Sequence, residues 1–379
     1  MNVPFHKPFY DEKDERALVD ALRSGHIVGD AANSSQASEL LAHLLGVKTV
    51  LLTTSCTHAL ELALMVLRLD PGDKVIIPSF TFVSTANCIM RVGARPVFAE
   101  IDPVTLTISV EDVQRRITAK TKAIIPVVYA GVSPAMDELM TLAPGKNIAV
   151  IEDAAQALGA RYKGHPLGSI GHIGCFSFHE TKNISTGEGG AFVTNAEDLA
   201  SRAEVIREKG TNRKQFMLHL VDKYTWVDIG SSFLPNDLVG ALLGSQLGKM
   251  EEIQTSRKCI YERYTSELKP LAIQERLVLP TIPDHTSSNY HIYHVLMRDE
   301  QTRNNAISFF KDRNIGTTFH YLPLHLAPVG RRLLGGKPGD LPITESVSGR
   351  LLRLPIYPSL KEEEQTYVIQ VMNEFFRTQ

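Results

Sequence analysis

Residues 48–85 read KTVLLTTSCTHALELALMVLRLDPGDKVIIPSFTFVST, and this stretch decides the fold class. KTVLLT is a short apolar run of strand character. HALELALMVLRL carries apolar residues at helical spacing and stops before Pro71 and Gly72, which cannot continue a helix. KVIIP then returns to a strand. Strand, helix and strand in that order form the unit of a parallel sheet with crossover helices.

The alternation continues outward. VSTANCIMRVG, SVEDVQRRI and MDELMTLA read as helices, and RPVFAEI, KAIIPVVY and NIAVIED as strands. CFSFH and GAFVTN are two further β-rich runs separated by TKNISTGEGG, and AEDLASRAEVIREK is helical again. Residues 1–245 therefore read as one large α/β unit. EEIQTSRKCIYERYTSELKPL reads as a long helix leading into a mixed, proline-containing region, so 246–379 reads as a smaller C-terminal α/β domain. Within it RRLLGGKPGDLPIT has the glycine and proline content of a surface loop.

Composition narrows the function classes. A chain of 379 residues can bury more than one core, and a formal net charge of -2 supplies no general basic surface for nucleic acid. A local anion pocket is compatible with that charge. The four cysteines are scattered with no C-x-x-C pair, which reads as reduced thiols. Neither a signal-peptide core nor an apolar run of about 18 residues occurs, so the expectation is a cytoplasmic protein with no membrane partner. The chain lacks G-x-G-x-x-G, a P-loop, H-E-x-x-H and any zinc-spaced Cys/His set, which removes the main support for dinucleotide, P-loop and metal readings.

Ligands of open parallel sheets collect outside the carboxyl ends of the strands, and four polar clusters fall there. In TTSCTHAL, residues 53–60, Ser55 and Thr57 stand near a helix N-terminus. Free N–H groups there suit a phosphate, while the same hydroxyls also serve as ordinary helix caps. In PSFTFVST, residues 78–85, Phe80 or Phe82 is placed either to stack on a flat ring or to fill core. In IAVIEDAAQALGA an apolar strand ends in Glu152, Asp153 and Gln156. A carboxylate there needs a partner, and a protonated pyridine nitrogen or a helix N-cap role would each provide one.

The fourth cluster is GCFSFHETKNISTGEGGAFVTN, residues 174–195, where Lys182 sits in an irregular turn between two β runs. Ser177 and His179 lie two apart on one strand face. Desolvation would lower the lysine pKa and leave a neutral amine competent for Schiff-base formation, whereas an isolated lysine is ordinarily a solvated surface group. HYLPLH, from His320 to His325, is either a substrate loop or a proline-broken turn with polar tips.

In this order the clusters resemble the fold-type I, aspartate aminotransferase-like enzymes that depend on pyridoxal 5'-phosphate (PLP), and within them the DegT/DnrJ/EryC1/StrS sugar aminotransferases. GDKVIIPSFTFVST, IIPVVYAG, IEDAAQALGA, GHIGCFSFHETKN and GEGGAFVTN carry the resemblance, which runs from about residue 5 to the end. It implies Lys182 as the Schiff-base lysine, Asp153 as partner of the pyridinium nitrogen, Gln156 at the ring hydroxyl and Phe82 stacked on the ring. Ser55, Cys56, Thr57 and Ser177 match the phosphate cradle, and His320 and Tyr321 match a loop near the sugar.

Two stretches depart from the family pattern. Cys56 and Thr57 stand where most members have Gly-Thr, and Ser232, Phe233 and Leu234 stand where most have Asn-Tyr-Arg. The family's asparagine reaches the phosphate of the neighbouring subunit, and Ser232 is the shorter residue assigned to that place. The resemblance further implies a homodimer with shared active sites and, as substrates, glutamate and a nucleotide-linked keto sugar. Its most specific form has the amino group pass to C4 of a dTDP-4-keto-6-deoxyhexose, giving dTDP-4-amino-4,6-dideoxygalactose. Amination to the gluco epimer or at C3, and a non-catalytic PLP-binding regulator, are the alternatives. Members with histidine at the lysine position act as dehydratases, and Lys182 points away from that activity.

Overall fold

A computed structural model describes residues 1–143 and 148–378. Asn147, which opens the NIAVIED run, and Gln379, which ends the expected C-terminal domain, lie outside the described residues, as do positions 144–146. The chain begins with α1 (Glu12–Arg23) and α2 (Ala32–Leu45), followed by β1 (Thr49–Thr53), α3 (Cys56–Val66), β2 (Lys74–Pro78), α4 (Val83–Arg91) and β3 (Arg95–Ala99). Next come α5 (Val110–Arg116), β4 (Thr121–Ile124), α6 (Met136–Leu142) and β5 (Ala149–Asp153). The short strands β6 (Arg161–Tyr162) and β7 (His165–Pro166) precede β8 (Ile173–Ser177) and β9 (Gly190–Thr194).

The helices α7 (Glu197–Arg207), α8 (Arg213–Met217), α9 (Asp237–Leu247) and α10 (Met250–Ile273) lead to β10 (Leu277–Val278), β11 (Thr286–Ser287) and β12 (Tyr293–Met297). α11 (Glu300–Lys311), α12 (Pro342–Arg350), β13 (Leu351–Leu354) and α13 (Glu362–Arg377) finish the chain. No helix among the described residues is long and apolar enough to cross a membrane.

Seven strands form the central sheet in the order β1-β9-β8-β5-β4-β2-β3. Every pairing from β8 through β5, β4 and β2 to β3 is parallel, and β9 alone runs antiparallel to both its neighbours. Because strand side chains alternate between faces, adjacent residues enter different cores. Ile76, Ile124 and Val150 belong to one apolar cluster, while Val75, Ile77, Ala123 and Ile151 belong to the cluster on the other face. Helices therefore cover both faces of the sheet, which is the arrangement the near-continuous apolar strands require.

The C-terminal part has its own core around Tyr264, Tyr293, Phe310, Leu352 and Phe375. Val3 joins that core and pairs with Ile315, so the start of the chain packs far from its neighbours in sequence. α10 contributes Ile253 to the sheet core and Tyr264 and Leu268 to the C-terminal one. A smaller cluster that includes Phe80, Tyr129, Ile292 and Leu351 seals the junction between the two.

Two sequence expectations change. The KAIIPVVY strand ends at Ile124, because Pro126 cannot donate to the ladder, and Tyr129–Gly131 turns as a 3-10 helix. RRLLGGKPGDLPIT is not a loop throughout: Gly330–Leu334 makes a π-helical turn, and α12 starts at Pro342, where a missing N–H costs nothing in a first turn.

One glycine has a steric reason that bears on function. Gly190 opens β9 beside the first residues of α3, and a Cβ there would overlap the Ser55 carbonyl carbon and the Cys56 nitrogen. Gly244, inside α9, has open space at the same position. Gly190→Ala should lower Tm by several degrees, consistent with about 1–3 kcal/mol of overpacking. Gly244→Ala should leave Tm unchanged or raise it, because alanine is the better helix former by up to about 1 kcal/mol. Thermal melts of both variants check the contrast, and equal shifts would contradict it.

Candidate active site

The site begins at the end of β5, where two consecutive carboxylates face opposite ways. Glu152 turns away from the cavity and accepts the N–H groups of Gly168, Ile170 and Gly171, each at 2.7 Å. Asp153 turns into the cavity. Its Oδ2 accepts from the Thr85 hydroxyl at 2.8 Å and its Oδ1 from the Ala155 N–H at 3.3 Å. The Thr85 oxygen is itself 2.9 Å from that of Thr81, so a buried hydroxyl pair orients the carboxylate. Burial raises the Asp153 pKa above the ordinary carboxylate value, and the Thr85 and Ala155 bonds pull the other way. A cation in the cavity would complete the balance.

Lys182 reaches the same cavity from the segment between β8 and β9. That segment is a hydrogen-bonded turn: Lys182 N–H donates to His179 C=O, Glu180 N–H to Gly187 C=O, and Thr186 N–H to Phe178 C=O. Asn183 then fastens it to the C-terminal part, donating to Asn289 C=O at 2.8 Å and lying 2.8 Å from Nδ1 of His291. Lys182 keeps some accessible area because it borders the cavity, yet protein encloses it. Burial lowers its pKa below the usual lysine value, Cys56 and Asp153 oppose that shift, and Arg353 adds to it. The Cys56 thiol is pushed well above its ordinary range, chiefly by burial, and stays protonated. Asp153 is thus the carboxylate that shares the cavity with the amine.

The third element is the N-terminus of α3. Ser55 is its N-cap, with the hydroxyl accepting the His58 N–H at 3.1 Å. The cap role and a ligand role are compatible, since the hydroxyl hydrogen is free to donate elsewhere. The N–H groups of Cys56 and Thr57, in the first turn, have no intrahelical acceptor. The Thr57 hydroxyl lies 2.8 Å from that of Ser84. Ser177, at the end of β8, accepts the His179 N–H at 3.3 Å and lines the same cavity.

The structure separates the two phenylalanines. Phe80 is 1% exposed in the junction cluster, whereas Phe82 is 57% exposed on the cavity wall, its ring centroid 6.4 Å from that of Tyr321. Gln156 joins the two parts of the molecule, accepting from the Ala130 N–H at 2.7 Å and donating to the Tyr321 hydroxyl at 3.1 Å. His320 lines the cavity next to Tyr321 and lies 3.2 Å from the Tyr129 hydroxyl. Ser232 is exposed and does not line the cavity of its own chain.

Several cavity residues have no counterpart in the sequence reading. Thr85, Arg257, His291 and Arg353 all line it. Only Arg353 carried a local signal, as the lone charge in the apolar LLRLP run. The others come into place through the packing of separate elements.

The cavity of about 480 Å³ presents groups that match PLP feature by feature. A helix N-terminus with hydroxyls suits the phosphate, a buried carboxylate suits the pyridine nitrogen, a desolvated amine suits the aldehyde, and an uncovered aromatic ring suits the ring face. The residues present fit the group.

Comparison with known proteins agrees in extent and kind. The DegT/DnrJ/EryC1/StrS aminotransferase family profile matches residues 8–373. The spore coat polysaccharide biosynthesis protein SpsC of Bacillus subtilis is 33% identical over 383 residues, covering 99% of this chain and 97% of SpsC. Spr1654 from Streptococcus pneumoniae, solved in its PLP form, superposes with a TM-score of 0.92 at 28% identity, covering 100% of this chain and 99% of that one. Helicobacter pylori PseC, an aminotransferase involved in pseudoaminic acid biosynthesis, superposes at 0.91 with 26% identity and full coverage of both chains.

Among the described residues His294 has no partner for Nδ1, and burial, with Arg353 adding, pushes its pKa down to about 3. The folded value lies below the unfolded one near 6.5, so between them the unfolded chain binds the extra proton, and stability falls as pH drops through that window. His294→Gln should show a smaller loss of Tm between pH 7 and pH 5 than the parent protein. An equal or steeper loss in the variant would count against this account.

Proposed function

The chain belongs to the DegT/DnrJ/EryC1/StrS aminotransferase family, and from that premise we propose that it moves the amino group of glutamate to C4 of a dTDP-linked 4-keto-6-deoxyhexose, giving dTDP-4-amino-4,6-dideoxygalactose. The reaction class, a PLP-dependent sugar aminotransferase, follows from the family and its solved relatives. The observation that carries the reading is the meeting of Lys182, Asp153 and the α3 N-terminus in one cavity. The naming of SpsC and PseC after polysaccharide and pseudoaminic acid synthesis supports a sugar as the amino acceptor.

PLP would supply an aldehyde that takes up the donor's amino group and a ring that draws electrons from the carbon losing its proton. In our reading the chain does the rest. Lys182 would tether the cofactor, and its neutral Nζ would move the proton from the donor Cα. Its depressed pKa keeps a larger neutral fraction near pH 7 than an exposed lysine has. Asp153, oriented by Thr85, would hold a proton on the ring nitrogen and so keep the ring electron-poor. The N–H groups of Cys56 and Thr57 with the hydroxyls of Ser55 and Ser177 would hold the phosphate. Phe82 would cover the ring face, Gln156 would face the ring hydroxyl, and His320 and Tyr321 would border the sugar.

The same reading includes a cytoplasmic homodimer. The segment from α8 to residue 229 exposes Met217, Leu218, Leu220, Val227, Ile229 and Trp226, the last at 74%. So much apolar surface in one run marks an association face. Ser232 lies shortly after that segment, and in this reading it meets the neighbouring subunit's phosphate site.

Two outcomes test the proposal. Lys182→Ala should abolish turnover with glutamate and the keto sugar, and borohydride reduction of the PLP-loaded parent protein followed by peptide mapping should label Lys182. A label on another residue would reject the assignment. Light scattering should give a dimer, and Trp226→Glu should shift it toward monomer with loss of activity; a fully active monomer would reject the shared site.

A further inference from the structure

One histidine of the cavity has its tautomer fixed by its neighbours. His291, two residues before β12, is buried and lines the cavity. Arg257 braces its backbone, donating to the carbonyls of Tyr290 at 3.0 Å and of His291 itself at 2.5 Å. Its Nδ1 lies 2.8 Å from Oδ1 of Asn183. The Asn183 amide cannot turn over, because its Nδ2 donates to the Asn289 carbonyl at 2.8 Å and a carbonyl only accepts. Nδ1 of His291 therefore carries the hydrogen, and Nε2 presents a lone pair. Burial, with Lys182, Arg257 and Arg353 adding, holds the pKa of the ring well below the ordinary histidine value, so it stays neutral. His320 has no such fixed tautomer, since the Tyr129 hydroxyl beside its Nδ1 can donate or accept.

Among the described residues Nε2 of His291 receives no hydrogen bond; the ring is held through Nδ1 alone. A buried acceptor without a donor is costly, so a ligand that enters the cavity gains by supplying one. We propose that Nε2 of His291 accepts the hydroxyl that the sugar carries next to its keto carbon, which rests on the sugar aminotransferase reading above. An ionised carboxylate, a phosphate or a ketone can only accept, and none of them pairs with that lone pair. A hydroxyl can. Asn183, which orients the ring, follows Lys182 directly in sequence, so one turn carries the reacting amine and steers the acceptor. In a 4-keto-6-deoxyhexose the reacting C4 has two neighbours. C5 bears the methyl group and the ring oxygen, and C3 bears the hydroxyl. His291 thus selects for oxygen at C3, because a sugar deoxygenated there would leave the lone pair buried and unpaired.

The test crosses the residue with the hydroxyl. PLP-loaded parent protein and His291→Phe are each titrated calorimetrically with dTDP-6-deoxygalactose, which has a hydroxyl at C4 and cannot be aminated, and with its 3-deoxy counterpart. The parent should bind the 3-deoxy ligand about 5- to 50-fold more weakly, the effect of leaving a buried acceptor unpaired. In His291→Phe, whose ring fills similar space without an acceptor, the two ligands should differ by less than about twofold. Single-turnover spectra should show the glutamate half-reaction of the variant within about threefold of the parent, and amination of the 4-keto sugar slowed by about fivefold or more. His291→Met serves the same comparison if the phenylalanine variant does not fold. Equal binding of the two ligands by the parent, which needs no variant, would overturn the inference. So would a preference that survives in the variant, or an equal loss in both half-reactions, which would assign the ring to Lys182. Parent protein that takes no amino group from glutamate, or binds neither ligand, would instead overturn the function proposed above.

Discussion

The desolvated amine of Lys182 opposite the carboxylate of Asp153 is the constraint around which the site is built. Each group alone is a poor tenant of a protein interior, since burial disfavours the charged form of both. The fold answers by controlling direction. Glu152 and Asp153 are neighbours on β5, and the two-residue period of a strand sends one to three backbone N–H groups and the other to the cavity. A one-residue slip in β5 would turn Asp153 to the opposite face and out of the cavity. The parallel pairing of β5 with β4 and β8 therefore sets chemistry as well as architecture.

The cavity is also a joint between two cores. The lysine turn is tied across it by Asn183 to Asn289 and His291, and Gln156 links Ala130 to Tyr321 in the same way. The apolar cluster of Phe80, Tyr129, Ile292 and Leu351 packs beneath these bonds. Displacing the C-terminal part would remove Arg353, His320 and Tyr321 from the site while leaving Lys182 and Asp153 in place. In the proposed function the sheet part supplies the groups for the cofactor, and the C-terminal part supplies those left to discriminate substrates.

What could be read from the sequence follows the range of the forces involved. The strand and helix alternation from Lys48 to Asp153 is a local, period-driven signal, and the described elements lie where it puts them except that the KAIIPVVY strand stops at Ile124. The polar clusters at strand ends were legible because strand ends of a parallel sheet gather ligands wherever they occur. β9 shows the limit: GAFVTN reads as a strand, but nothing local says that it inserts antiparallel between β1 and β8. Arg257, His291 and Thr85 were missed for a related reason. Each sits in an ordinary helical or loop context and acquires meaning only when another element is packed against it.

The position of Cys56 ties these strands together. The family pattern that the sequence resembles has glycine there, and a side chain in the first turn of α3 must find room beside β8 and β9. The structure accommodates it by turning the thiol inward, 3.5 Å from the Cys175 carbonyl, against an apolar layer that includes Leu60 and Phe192. On the other side of the contact Gly190 lets the Ser55–Cys56 backbone approach β9, since a Cβ there would overlap it. The helix N-terminus keeps its approach to the sheet, and a buried neutral thiol adds no charge to compete with Asp153. The departure from the family pattern at 56 therefore leaves the charge balance at Lys182 intact.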